Sequence, residues 1–147
     1  MATQEVASTI ATLADQYLEA WQTHDVDAII ALHTPDSVFT SVATGREAVG
    51  RDAVRNAITE IFAVWPDLRF NPVRVYTTPD LIVAESIAET TQALPLPLGG
   101  VVVEPNGRHV SFAVADILAL KDGRLVKRKD SYVDALGYMR EMRKAAA

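Results

Sequence analysis

The chain has 147 residues, 49% hydrophobic and 22% charged, which suits one globular domain over residues 1–147 and argues against disorder. A net charge of -5 sets its surface against phosphate backbones, so nucleic acid is not an expected partner. With no cysteine, disulfides, thiol nucleophiles and thiolate-held metals are excluded, and a cytoplasmic, reducing setting is the expected one.

No apolar run reaches the length of a membrane span, and the first residues lack the basic-then-apolar pattern of a leader. Neither a membrane nor a signal peptide is expected. The first half reads as helices. Ile10, Leu13, Ala14, Tyr17, Leu18 and Trp21 fall at three- and four-residue spacing and predict one amphipathic helix. Asp25 is placed to cap a second, shorter helix carrying Ile29, Ile30 and Leu32. Thr34-Pro35-Asp36 reads as its stop, and Val38 to Val42 as a short strand. A third helix starts near Arg51, buries Val54, Ala57, Ile58, Ile61, Phe62 and Trp65, and ends at Pro66.

The second half reads as strands. Arg69 to Tyr76 and Leu81 to Thr91 are the first two. Val101 to Val103 leads to an Asn106-Gly107 pair that predicts a hairpin turn into Val110 to Leu120. Lys121-Asp122-Gly123-Arg124 predicts a second turn, into a last strand from Leu125 to Val133. Asp134 is placed to cap a final helix through Tyr138 and Met142, and the terminal alanines read as a frayed tail. Helices followed by a meander of strands predict an α+β fold with a curved antiparallel sheet wrapped by helices.

Strand parity proposes an interior. Val110, Phe112, Val114, Asp116, Leu118 and Leu120 share one face, and their bulk turns that face towards the helices. Asp116 is therefore expected in an apolar interior. On the last strand, Arg128, Asp130 and Tyr132 share one face, while Lys127, Lys129 and Ser131 share the other. The Lys-rich face is expected in water or at an oligomer edge.

Five stretches carry a resemblance: Tyr17-Leu18-Glu19-Ala20-Trp21 with Asp25-Val26-Asp27-Ala28, Gly50-Arg51-Asp52-Ala53-Val54, Trp65-Pro66-Asp67-Leu68-Arg69-Phe70, Gly107-Arg108-His109-Val110-Ser111-Phe112, and Asp122-Gly123-Arg124-Leu125. Through them nearly the whole chain resembles the nuclear transport factor 2-like superfamily, and within it the SnoaL-like polyketide cyclase group, near ketosteroid isomerase-like proteins. The resemblance implies a cystatin-like cone with a deep pocket for a small apolar or aromatic molecule, and pairing into homodimers across the sheet. The sequence has no phosphate-cradling glycine motif, and no cofactor is expected. It leaves the reaction open, because the superfamily hosts cyclases, isomerases, dehydratases, epoxide hydrolases and non-enzymes. It also implies an aspartate on the last strand. Counted from Gly123 that position is Asp130. Counted back from Asp134 it is Ser131, and a bulge near Ser131 would reconcile the two.

Asp130 is the expected general base for removing a proton next to a carbonyl, with Asp116, Tyr132 and Tyr17 as donors or hydrogen-bond partners. An ion pair with Arg128 or Lys129 is the plainer role for Asp130, and a structural hydrogen bond the plainer role for Asp116. Trp21, Phe39, Trp65, Phe112 and Val114 are expected as apolar walls, and Ser86 with Ala88 as small residues that widen the space. Against the limonene epoxide hydrolase pattern, Ser86, Ala88, Phe39 and Ser41 replace its arginine, second aspartate, tyrosine and asparagine, so water activation by that set is not expected. His24, His33 and His109 match no metal-binding spacing and are read as structural. The apolar, proline-rich segment from Gln92 to Gly100 reads as a lid or interface element, or as a loop packed on the helices.

Overall fold

The computed structural model describes residues 2–144; the alanine tail lies outside them. Helix α1 (Ala2–Gln22) buries Ile10, Leu13, Tyr17 and Trp21 as one stripe, which the 3.6-residue period requires. His24 ends it in the left-handed region, at φ 55. There the Asp25 N–H bonds the Ala20 carbonyl at 2.9 Å and the His24 N–H bonds that of Trp21 at 3.2 Å, closing the last turn. The His24 ring offsets the strain of that conformation. It stacks on Phe62 with centroids 4.1 Å apart, and its Nε2 lies 2.8 Å from the Leu68 carbonyl. Asp25 caps α2 (Val26–Ala31) by accepting from the Ala28 N–H at 3.0 Å.

The chain continues as β1 (His33–Ser41), β2 (Arg46–Val49), α3 (Arg51–Val64), β3 (Arg69–Thr78), β4 (Leu81–Thr91), β5 (Leu96–Leu98), β6 (Val101–Val103), β7 (His109–Lys121), β8 (Leu125–Val133) and α4 (Ala135–Arg143). Six strands form one curved sheet in the order β2-β1-β8-β7-β4-β3. Every pair is antiparallel except β1 with β8, which is parallel. The helices pack on its inner face, and the α+β class is as expected.

Two local expectations are corrected. Thr34-Pro35-Asp36 does not end a helix; it lies inside β1, and a register shift between His33 and Val38 accommodates it. The Asn106-Gly107 pair does not join two paired strands, because both edges of β7 are taken by β4 and β8. Instead β6 pairs with β5 around Gly99 and Gly100, both at positive φ. The Asn106 side chain donates to the Met142 carbonyl at 2.7 Å and so ties the β6–β7 connection to α4. The turn at 122–123 forms as expected, with both residues at positive φ, 54 and 63, and the Arg124 N–H bonded to the Lys121 carbonyl at 3.1 Å.

Within the segment from Gln92 to Gly100, Gln92, Leu96 and Leu98 turn inward, while the other six residues stay exposed. Leu96 and Leu98 are buried with Trp65, Phe112 and Tyr138. The Tyr138 hydroxyl organises this end of the sheet: it donates to Gln92 Oε1 at 2.5 Å and accepts from Trp65 Nε1 at 3.1 Å. Gln92 Nε2 in turn donates to the carbonyls of Leu94 and Val103. One phenol thereby joins α4, the end of α3 and the β5–β6 hairpin. Tyr138→Phe leaves Gln92 Oε1 and Trp65 Nε1 without their partner, so the variant is expected to lose about 1–3 kcal/mol in urea unfolding while keeping its fold.

A second buried polar knot lies at the start of β1. His33 is fully buried, with Nε2 2.9 Å from the Tyr17 hydroxyl oxygen. Its carbonyl accepts from Arg51 Nη2 at 2.6 Å, fixing the start of α3. Burial first, then the positive charges of Lys129 and Arg51, push its pKa down to about 4. The unfolded chain takes up this proton near the ordinary imidazole value of 6.5, the folded chain only at about 4. This contribution is therefore intact above about pH 6.5 and is lost as the pH falls towards 4, by about 3 kcal/mol in all. Denaturant titrations at pH 7 and pH 4.5 are expected to show a smaller acid loss in His33→Gln than in the unsubstituted protein.

Candidate functional site

The inner face of the sheet is built from cross-strand rows. Phe39, Lys129, Leu118, Ile82 and Thr77 form one; Ser41, Ser131, Asp116, Ala84 and Val75 form the next. Between these rows and α1 lies a cavity of about 350 Å³. Tyr17, Trp21, Phe70, Ser86, Asp116 and Lys129 are among its walls, and the exposed Asp15 lies at its margin. A smaller space of about 30 Å³ shares Trp21, Phe70, Asp116 and Lys129 as walls. It continues towards Phe39, Trp65, Phe112 and Val114. Nine of the residues expected at a pocket, Ala88 among them, thus line one of these two spaces.

Asp130 and Tyr132 do not. Both were expected to face inward, and both lie on the outer face. The cause is a register shift in β8: Leu120 pairs with Val126, but Ala119 pairs with Arg128, so Lys127 is the extra residue. The bulge lies at Lys127, four positions before the one expected near Ser131. Val126 faces inward ahead of it, and Lys129, Ser131 and Val133 face inward after it. Asp130 instead accepts from Arg128 Nε at 3.0 Å and from Thr40 Oγ1 at 2.5 Å. Burial pushes its pKa up, but the bonds from Arg128 and Thr40 and the charge of Arg128 outweigh this and hold it below the usual carboxylate range. A carboxylate so held is a weaker base. Tyr132 is 46% exposed.

The same bulge overturns the placement of Lys129 in water. It is 4% exposed, and its Nζ lies 3.0 Å from Asp116 Oδ1. Nζ also lies 4.8 Å from the centroid of the Trp21 ring and 5.7 Å from that of Tyr17, so two π faces help replace its lost water. Asp116 Oδ1 is buried and makes no hydrogen bond despite the 3.0 Å contact. Charge rather than an aligned N–H holds the pair. Lys129 is the functional candidate that parity missed, although Asp116 pointed to it: an acid placed in an apolar interior calls for a buried cation close by.

Tyr17 sits at the junction of cavity and core. Burial raises its pKa well above the ordinary phenol value, so it is a neutral hydroxyl at pH 7. That hydroxyl is already engaged with His33. Ser86 and Ala88 are both buried, Ser86 in the wall of the larger space and Ala88 in that of the smaller. His24 and His33 are structural by their contacts, and His109 lies on the surface between Thr91, Asp67 and Glu89. Among the described residues no three His, Cys, Asp or Glu side chains come together as metal ligands.

Solved structures share this architecture. A SnoaL-like polyketide cyclase candidate from Jannaschia sp. CCS1 superposes with a TM-score of 0.79 at 19% identity, covering 95% of this chain and 94% of that one. A polyketide cyclase candidate from Xanthomonas campestris pv. campestris gives 0.77 at 17% identity, covering 92% and 97%. AclR, a hydroxylase candidate from Streptomyces galilaeus, gives 0.72 at 20% identity, covering 95% and 88%. At these identities the likeness is one of fold. No curated protein matches the chain. The profile of the SnoaL-like domain matches residues 14–128, from the pocket-facing turns of α1 to the bulge of β8, and the chain belongs to that family.

Proposed function

We propose that the protein is a small-molecule enzyme that moves a proton on a carbonyl compound held in the 350 Å³ cavity, a cyclisation, isomerisation or lyase reaction. The observation that carries this reading is the Asp116–Lys129 pair set into an otherwise mainly apolar wall. Asp116 is the base in this reading, in place of Asp130. A carboxylate with little water around it and one oxygen free of hydrogen bonds is well placed to take a proton from a carbon acid. Lys129 supplies a fixed positive charge that stabilises the negative charge developing on an enolate oxygen. Trp21 and Phe70 give a flat ligand aromatic walls to pack against. The ligand is thus a small apolar or aromatic carbonyl compound, and no organic cofactor is invoked.

A non-catalytic ligand carrier is the second reading. It is favoured by the commitment of the Tyr17 hydroxyl to His33, which leaves the cavity without an uncommitted phenol donor at that position. Further parts of the proposal are a cytoplasmic location and a homodimer across the outer sheet face. That face carries Tyr132 and Ile87, 46% and 39% exposed, over the small side chains Ala113 and Ala115.

Turnover of a panel of aromatic ketones separates the readings. Asp116→Asn is expected to lower kcat by roughly 10²- to 10⁴-fold, whereas Asp130→Asn stays within a few-fold of the unsubstituted protein. Asp116→Asn strands the Lys129 charge, so Asp116→Asn/Lys129→Met, which removes both, serves as the folded control. Tight binding of flat ketones with no turnover across the panel would decide for the carrier. Sedimentation is expected to give a dimer, and Tyr132→Arg a monomer.

A further inference from the structure

We propose that Lys129 forms an imine with the carbonyl carbon of an aldehyde or ketone in the cavity. This rests on the acid–base reading, since that reading brings a carbonyl compound to this wall, and deepens it by giving Lys129 a covalent role in place of the electrostatic one. Three observations carry it. The Lys129 side chain is 5% exposed, yet it lines both the large and the small space, so what its amine can meet from outside is a bound ligand rather than bulk water. A proton acceptor, Asp116 Oδ1, stands 3.0 Å from Nζ with no hydrogen bond of its own. Finally, Trp21 and Tyr17 present their rings to the nitrogen and favour a cation there.

The chemistry balances within this pair. Nζ passes one proton to Asp116, and the freed lone pair attacks the carbonyl carbon, forming the C–N bond. The carbonyl π electrons go to oxygen, which takes a second proton from nitrogen to give a carbinolamine. Asp116 then returns its proton to that hydroxyl, the C–O bond breaks, and water leaves as nitrogen closes the C=N bond. One cation and one carboxylate stand in the wall before the reaction, and one cation and one carboxylate stand there after it. The surroundings that stabilise the ammonium therefore stabilise the iminium, and the step carries no added burial of charge. The iminium draws electrons from the neighbouring carbon, which lets the regenerated Asp116 carboxylate remove a proton there.

Sodium cyanoborohydride reduces an iminium to a stable secondary amine, and 2-naphthaldehyde is a flat probe within the size of the cavity. With both reagents, peptide mass spectrometry is expected to find Lys129 modified at least about tenfold faster than the exposed Lys121, Lys127 and Lys144, because binding pre-positions the aldehyde. Asp116→Asn is expected to slow the modification. Lys129→Arg keeps the charge but cannot form the adduct, and its turnover of ketones is expected to be lost. Quenching of tryptophan fluorescence by the probe reports occupancy separately, since Trp21 lines the cavity. Quenching with Lys129 labelled no faster than the surface lysines, or full turnover by Lys129→Arg, overturns the imine and leaves the acid–base reading standing. Neither quenching nor preferential labelling, with no turnover of any ketone, overturns both.

Discussion

Two opposite charges lie 3.0 Å apart in the hollow of the sheet, and neither would be tolerated there without the other. Removing an isolated ammonium or carboxylate from water costs several kcal/mol, and only a close partner recovers most of it. Much of the arrangement around the cavity follows from this pair. Asp116 is set by the alternation of β7, while Lys129 reaches the same side only because β8 gains a residue at Lys127. Trp21 and Tyr17 of α1 close over the ammonium. The positive charge is also one reason His33 stays neutral, and a neutral ring is what the Tyr17 hydroxyl meets. Pocket, helix placement and the polar knot under β1 are thus linked through one nitrogen.

The fold was largely legible because its signals are local. The stripe on α1, the caps at Asp25 and Asp134 and the turn at 122–123 depend on residues a few positions apart, and each formed as read. The apolar face of β7 was legible for the same reason: an uninterrupted strand keeps its alternation, and Val110, Phe112, Val114, Leu118 and Leu120 are all buried. The misread elements depend on what lies across the sheet. Asn106-Gly107 has the chemistry of a hairpin, but the neighbours of β7 were already fixed.

The site was half legible for a related reason. Tyr17, Trp21, Ser86 and Asp116 belong to elements with unbroken periodicity, and all four line the cavity. Asp130, Tyr132 and Lys129 sit beyond a single inserted residue, and one insertion exchanges the faces of every side chain after it. Nothing in Lys127-Arg128-Lys129 distinguishes the bulged residue from its neighbours. The usable clue lay on another strand, in the demand of Asp116 for a counter-charge.

The parallel pairing of β1 with β8 bears on how the chain comes together. β8 follows the other described strands in sequence, yet it stands in the middle of the sheet, between β1 and β7. During synthesis the helices and β1–β2 have no strand to join them to the β3–β4–β7 meander until residues near 130 emerge. Such long-range closure slows assembly and leaves apolar edges open meanwhile. It also means that a nascent chain carries Asp116 before its cation arrives, so the interior cannot dry out until β8 has been made and has paired.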